Sequence, residues 1–216
     1  CGTERYRFVR ARSNETVQFS LMDRRAHYLD TALRLFAEHG YHGVSVDEVV
    51  AEAGGSKATL YRYFSSKHDL FEAIIEELGA ATMPPDGEVE LADVPLDRAL
   101  HALGTRVAAA ALSERAVTLL RLAVGEAQRF PELGRVLFER GPGVSYDRFR
   151  QLVGARAAAG EVRVADLDIA AEQFIGGIVG HQQLRMALGV STPTAAEIDD
   201  RVRSAVENFL ATHAVR

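Results

Sequence analysis

A chain of 216 residues, 47% of them hydrophobic, can bury a large core, so its composition excludes disorder throughout. The formal charge of −5 excludes a uniformly basic coat protein for nucleic acid but leaves room for a local basic patch. One cysteine, Cys1, excludes an intrachain disulfide, and no apolar run suits a membrane helix or a signal peptide. We therefore expect a cytoplasmic protein.

The first 22 residues carry four arginines without helical or strand periodicity. They are Arg5, Arg7, Arg10 and Arg12. This pattern predicts a loose basic arm over residues 1–22. Two interpretations stay open, since such an arm can touch phosphate or the minor groove of DNA, or can be a solvated tail.

The first predicted helix covers residues 23–39. Leu29, Leu33 and Phe36 follow helical spacing, and Gly40 supplies a stop. A short bridge then leads to Ser45, which with Glu48 forms the S-x-x-E capping box of a second helix.

A glycine turn and a third helix follow the second. Gly54 and Gly55 end the second helix, Ser56 can cap the third, and Leu60 and Phe64 would form its buried side. Two short helices joined by a tight glycine turn indicate a helix-turn-helix, with residues 23–66 as its domain.

The surface of this motif suits DNA. Both lysines of the chain, Lys57 and Lys67, lie in it, and residues 54–68 contain no acidic side chain. Small polar groups at the helix start can approach base edges and phosphates, and tyrosine hydroxyls can bond phosphate. Tyr61 and Tyr63 cannot face the same way, being two residues apart, so one of them is free to pack. The predicted DNA contacts are Ser45, Ser56, Lys57, Thr59, Tyr61, Tyr63 and Lys67.

The runs ALRLFAEHGYHGVSVDEVVAEAG and GGSKATLYRYFSSKHDLFEAI resemble the signature of the tetracycline-repressor (TetR) family of bacterial regulators, over about residues 24–78. The resemblance implies a fourth helix, 67–82, that joins the DNA-binding head to a helical body, and a phosphate contact for Lys67. Gly55 departs from the family pattern, which has a branched apolar residue there. We expect the second glycine to remove a packing anchor and loosen the recognition helix.

The rest of the chain predicts an all-α body. Residues 83–95 are rich in turn formers and predict a loop, and the body covers 96–216. No segment alternates like a strand. The run RFPELGRVLFERGP resembles the AefR-like subgroup of the family. Helices are predicted over residues 96–112, 114–129, 131–140, 144–159, 167–188 and 194–212.

The family resemblance implies a homodimer joined through the last two helices, and a cavity for a small-molecule effector among the middle ones. Small residues and apolar side chains at steps of three and four fit the dimer contact, although the same pattern fits a core. The dimer candidates are Phe174, Ile175, Gly177, Ile178, His181, Leu184, Val202, Val206 and Phe209. The ligand candidates are His101, Arg106, Arg121, Gln128, Tyr146, Phe149 and His181.

These features together predict a sequence-specific transcriptional regulator, a repressor that binds a palindromic operator as a homodimer and is released by its ligand. We expect no cofactor. His39 and His42 lack further ligands at metal spacing, and we expect no metal site there. The sequence contains no nucleophile turn, no metalloprotease helix and no phosphate loop, so we do not expect an enzyme. The alternative is a protein-binding adaptor of the same fold that has lost DNA binding, which Gly55 would favour.

Overall fold

The computed structural model describes residues 13–82 and 94–215, with side chains from 24 to 79 and from 94 to 215. Ten helices lie in these ranges, and they confirm the all-α prediction. They are α1 (Ser13–Gly43), α2 (Val46–Ala53), α3 (Lys57–Tyr61), α4 (Lys67–Thr82), α5 (Leu96–Ala111), α6 (Glu114–Glu126), α7 (Pro131–Arg140), α8 (Pro142–Ala158), α9 (Leu167–Ala187) and α10 (Ala195–His213).

The head and the body share one of two apolar cores. The first core gathers Leu29 and Phe36 of α1, Val49 of α2, Leu60 of α3 and Phe71 of α4, all of them fully buried. Two further helices of the body, α6 and α7, contribute Leu119, Leu122, Leu133 and Val136 to the same cluster. The burial of these apolar side chains is the main stabilising contribution to the head, and it packs the head directly against α6 and α7.

The second core lies entirely in the body, among α5, α6, α8, α9 and α10. At its centre the ring of Phe209 meets those of Phe149 and Phe174 edge to face, with centroids 5.6 and 6.3 Å away, and the Phe149 and Phe174 rings lie tilted to each other at 5.1 Å. The three rings come from α8, α9 and α10, so they fix these helices against one another.

Both boundaries of the predicted first helix change. It runs to Gly43 rather than to residue 39, with a break at Gly40, whose φ of 75° and ψ of 158° lie outside helical geometry. The first helix begins at Ser13 rather than at residue 23, so the second half of the predicted arm is helical; the segment 13–22 holds no glycine or proline to prevent this. Residues 1–12 and 83–93, which hold the rest of the arm and most of the predicted loop, lie outside the described residues. The body helices agree with the predicted ones to within a few residues at each end.

The described ranges contain one isolated β-bridge, between Val162 and Ala214, and no strand. No helix in residues 13–82 and 94–215 is both long and apolar enough to cross a bilayer.

Candidate nucleic-acid interface

The capping box that opens α2 is formed as predicted. The Glu48 N–H donates to Ser45 Oγ at 3.2 Å, and the Glu48 carboxylate accepts from Ser45 N at 2.6 Å and from Ser45 Oγ at 2.8 Å. These bonds lower the pKa of the Glu48 carboxyl. The Ser45 hydroxyl is exposed, but its proton is engaged by Glu48, so a phosphate contact from this residue would have to use a different geometry.

The turn between α2 and α3 is closed by a tyrosine from α1. Gly54 and Gly55 both have positive φ, 73° and 104°. The Tyr28 hydroxyl donates to Gly54 O at 3.3 Å, and an added Cβ on Gly55 would stand 2.6 Å from that hydroxyl. Tyr28 thus occupies the space of a side chain at position 55, and the expected loss of an anchor at Gly55 is offset by a side chain from another helix.

The recognition helix α3 is short and is capped at its start. Ser56 Oγ accepts from Thr59 N at 3.2 Å and lies 3.0 Å from Thr59 Oγ1. Leu60 and Phe64 are buried, as predicted, while Ser56 and Lys57 are exposed. The outer face of α3 is therefore polar and small, a surface that can approach base edges.

Lys57 forms an ion pair across the motif. Its Nζ lies 2.7 Å from Asp47 Oδ2 of α2, and both side chains are more than half exposed. The Asp47 carboxylate raises the pKa of Lys57. The ammonium is thus available at the surface, with an acidic partner that competes with phosphate.

The two tyrosines separate as expected. Tyr61 is 49% exposed, whereas Tyr63 packs against the head core, with its ring 6.4 Å from Tyr28 and 6.1 Å from Phe64. Tyr61 is therefore the tyrosine with a side chain open to DNA.

Lys67 points into the chain. Its Nζ donates to Tyr41 O at 2.8 Å and to Val44 O at 2.9 Å, and lies 4.3 Å from the centroid of the Tyr41 ring. Burial lowers the pKa of this ammonium. The phosphate contact expected for Lys67 would require these two hydrogen bonds to break or to be shared.

Further positive charge near the motif comes from arginines that were not among the predicted DNA contacts. The Arg24 guanidinium lies beside Gly55, with Nη1 3.1 Å from the position of an added Cβ, and Arg25 lies over the Phe64 ring at 5.5 Å. Arg62 is exposed just after α3. The signal in the sequence was the Arg24–Arg25 pair at the beginning of the predicted first helix, on the turn that faces the motif.

The body contacts the head through α6 and the corner that follows it. Arg115 of α6 bonds Asp30 of α1 at 2.7 Å and Glu77 of α4 at 2.9 Å. At the other end of α6, Glu126 Oε1 accepts from His42 N at 3.2 Å. Phe130 packs edge-on against Tyr41 at 5.3 Å. Both ends of α6 therefore hold the head, in addition to the core contacts that α6 and α7 make with it.

Two family models match this chain. Residues 98–215 match the AefR-like transcriptional repressor, C-terminal domain, and residues 29–74 match the bacterial regulatory proteins of the tetR family. The first match alone covers more than half of the chain. The chain belongs to the TetR family.

Individual regulators are also similar to this chain. The activator FasR of Mycolicibacterium smegmatis is 41% identical over 54 residues, which are 25% of this chain and 25% of FasR. A TetR regulator structure from Agrobacterium tumefaciens is 31% identical, with a TM-score of 0.66 over 89% of this chain and 95% of that one. The flavonoid-responsive regulator FrrA is 28% identical, with a TM-score of 0.70 over 90% and 99%. This chain is accordingly a TetR-family transcriptional regulator with a helix-turn-helix head and a helical body.

The residues predicted for the TetR dimer contact fall on two sides of α9 and α10. Gly177, His181 and Leu184 are exposed on the outward side. The other six are buried in the core of their own chain, which corrects their placement on a dimer surface: Phe174, Ile175, Ile178, Val202, Val206 and Phe209. Helical spacing identifies an apolar face, but both a core and an interface have one.

The residues predicted for the TetR effector lie at several different places in the body. His101 lies 3.4 Å from Asp199 of α10, and Arg121 Nε donates to Ala187 O at 2.8 Å, at the end of α9. Gln128 and His181 are exposed, and Phe149 is in the core.

The last two candidates also lie apart. The Tyr146 ring stacks on Phe138 at 6.2 Å, and Arg106 is half-buried on α5. A cavity of about 390 Å³ between α1 and α6 is lined by Arg121 but by none of the other six candidates. The effector site of this TetR protein therefore stays a prediction without assigned residues.

Proposed function

We propose that this TetR-family chain binds a palindromic DNA operator as a homodimer, represses transcription there, and is released by a small molecule bound in the body. The observation that carries the DNA-binding part is the outer face of the helix-turn-helix. A capped α3 presents Ser56, Lys57 and Thr59 at its first turn, while Leu60 and Phe64 anchor its inner face. A rigid helix with a small, basic leading turn fits the major groove.

The contacts have separate roles in this proposal. Lys57 and Tyr61, together with the added arginines Arg24 and Arg62, supply charge or hydroxyl groups to phosphate. Thr59, half-buried at the first turn, is placed to read a base edge or a thymine methyl. Ser45 and Ser56 act mainly as helix caps, and Tyr63 acts through packing.

A second copy of this chain would be held through the outward side of α9 and α10. Three glycines on α9, Gly176, Gly177 and Gly180, have open space where a Cβ would stand. Leu184 and Leu188, 55% and 69% exposed, extend the same face as an apolar strip. The glycines allow another backbone to approach closely, and exposed leucines extend the same surface. A helix pair of a second copy can therefore cover it. Two heads held at a fixed spacing would then read two half-sites.

Control by a small molecule follows from family membership and from the contacts between head and body. A regulator with a related structure, FrrA, is flavonoid-responsive. In this chain Arg115 and Glu126 join α6 to the head at 2.7 to 3.2 Å. A ligand that favours a different position of α6 would change the spacing of the heads and lower their affinity for the operator.

A gel shift with sheared genomic DNA of the source bacterium tests the DNA-binding part. We expect a retarded complex with the wild-type dimer, and a weaker one with Thr59→Val. Thr105→Val removes an exposed hydroxyl of α5, far along the chain from the head, and should bind like the wild type. A folded dimer that shifts no fragment would contradict the proposal and favour the adaptor. No structural observation favours that alternative, since Tyr28 fills the space beside Gly55.

A further inference from the structure

A four-residue segment, 41–44, sets the entry of the chain into α2. Before it, Gly40 leaves helical geometry with φ 75° and ψ 158°. After it, Ser45 begins the capping box of α2. Tyr41 and Val44 are buried, at 4% and 2% exposure, so the segment is fixed by side chains at both of its ends. Any shift of its backbone would move the start of α2, and with it the turn that leads to α3.

One side of this segment is held from α4. Lys67 Nζ donates to the carbonyls of Tyr41 and Val44, at 2.8 and 2.9 Å, and so bonds the first and last residues of the segment. The ammonium also lies 4.3 Å from the centroid of the Tyr41 ring. A charged donor on two carbonyls forms strong hydrogen bonds, and a cation above an aromatic ring adds to them when partly desolvated.

The body holds the same segment. Glu126 Oε1, at the end of α6, accepts from His42 N at 3.2 Å. The approach is close, since a Cβ on Gly40 would lie 3.0 Å from this oxygen. Arg129 Nη2 lies 3.0 Å from His42 Nε2, and the Phe130 ring stacks on His42 at 5.9 Å. The α6–α7 corner therefore contacts His42, which lies between the two residues whose carbonyls accept from Lys67.

We propose that Lys67 and Glu126 form a two-sided clamp on segment 41–44, in which Lys67 is a positioning residue for α2 and Glu126 makes the pose of the helix-turn-helix depend on the body. The inference rests on the proposed function for its biological meaning. Lys67 then has a role other than phosphate binding. The body also contacts the head through Glu126 and His42, in addition to the connection through α4. A conformational change in the body that displaces the end of α6 would break the contact of Glu126 with His42 and release the start of α2.

Hydrogen exchange of the α2 backbone amides in DNA-free protein tests the clamp. Glu126→Ala removes the acceptor, whereas Glu126→Gln keeps an oxygen for His42 N and serves as the matched control. We expect Glu126→Ala and Lys67→Met each to speed α2 exchange about tenfold, and Glu126→Gln to stay near the wild type. If Lys67→Met does not fold, the two Glu126 variants decide alone. Unchanged α2 exchange in Glu126→Ala would overturn the clamp.

The salt dependence of DNA affinity separates positioning from phosphate contact. Lys67→Met should weaken DNA binding while the slope of log affinity against log salt stays within about half a counterion of the wild type. A slope reduced by about one counterion would make Lys67 a phosphate ligand and overturn its positioning role. The exchange experiment uses no DNA, so its result does not depend on the proposed function. The clamp can be contradicted while the protein still binds an operator, and it can be supported in a protein that binds no DNA.

Discussion

The hydroxyl oxygen of Tyr28 lies 2.6 Å from the point where a Cβ on Gly55 would stand. This contact explains why the turn of the motif has glycine where the family has a branched side chain. Tyr28 is fully buried, and its hydroxyl bonds the carbonyl of Gly54, so α1 supplies the packing that a residue at position 55 would otherwise give. The departure from the family pattern is thus compensated within the head.

Restoring a side chain at position 55 is therefore expected to harm the protein. Gly55→Ala should lower the free energy of unfolding by about 1 to 3 kcal/mol from the positive φ, with a further cost from the hydroxyl contact. Gly54→Ala has a similar φ but meets nothing within 4 Å, so it isolates the backbone cost. Chemical denaturation of both variants measures the difference.

A double-mutant cycle with Tyr28→Phe assigns that difference to the hydroxyl. Removal of the oxygen should recover about 1 kcal/mol of the Gly55→Ala cost and none of the Gly54→Ala cost. An equal recovery at both glycines would show that Tyr28 acts on the turn only through its hydrogen bond to Gly54.

The ion pair of Lys57 with Asp47 should restrain DNA binding. Asp47→Asn frees the ammonium and removes a negative charge beside α3, so affinity should rise about fivefold and the salt slope should steepen by about one counterion. Glu52→Gln makes the same change of charge elsewhere on α2 and is the control. Fluorescence anisotropy at several salt concentrations measures both. Equal gains from the two variants would indicate a general charge effect in place of release of Lys57.

The two capping boxes should lose their contribution in acid. Hydrogen bonds from Ser45 and Thr194 lower the pKa of Glu48 and Glu197 below the ordinary 4.5. A carboxyl with a lowered folded-state pKa stabilises the fold above the unfolded-state pKa, and this stabilisation is lost as the pH falls through the folded-state pKa. Thermal unfolding of Glu197→Ala should therefore differ from the wild type at pH 7, and the difference should shrink as the pH falls through the lowered folded-state pKa of Glu197.

A large side chain on the outward side of α9 should disrupt the dimer without destabilising the fold of the single chain. Gly177→Arg places a large charged side chain in space that is open in the single chain, so the variant should fold and lose the dimer. Gly134→Arg, at another open helical glycine, should stay dimeric. Both substitutions favour helix by roughly 1 kcal/mol. Sedimentation equilibrium would refute this dimer face if Gly177→Arg remained a dimer.

Local sequence patterns predicted the local structure well. The caps at Ser45 and Ser56 form within three residues of chain, so the capping side chain and its partner can be recognised together in the sequence. The stop at Gly40 and the turn at Gly54 depend on positive φ, which glycine alone readily adopts. The helices of the body, with clear apolar spacing, were placed to within a few residues, whereas the start of α1 was placed ten residues too late.

Features that depend on distant partners could not be predicted. Whether Lys67 points to DNA or to the carbonyl of Tyr41 depends on packing between α4 and the end of α1. The partner of Gly55 is Tyr28, on a different helix. Phe174 and Leu184 are both apolar on α9, and only the fold shows that the first faces the core and the second faces outward. Ligand candidates chosen by residue type alone were dispersed for the same reason.

Selection of bound DNA from a random pool at physiological salt tests the central claim most directly. The account predicts that the dimer enriches an inverted repeat whose half-sites lie about one helical turn, or a multiple of it, apart. Thr59→Val should change the base preference within each half-site while leaving the spacing unchanged. Failure of the folded, dimeric wild-type protein to enrich any sequence would contradict the account.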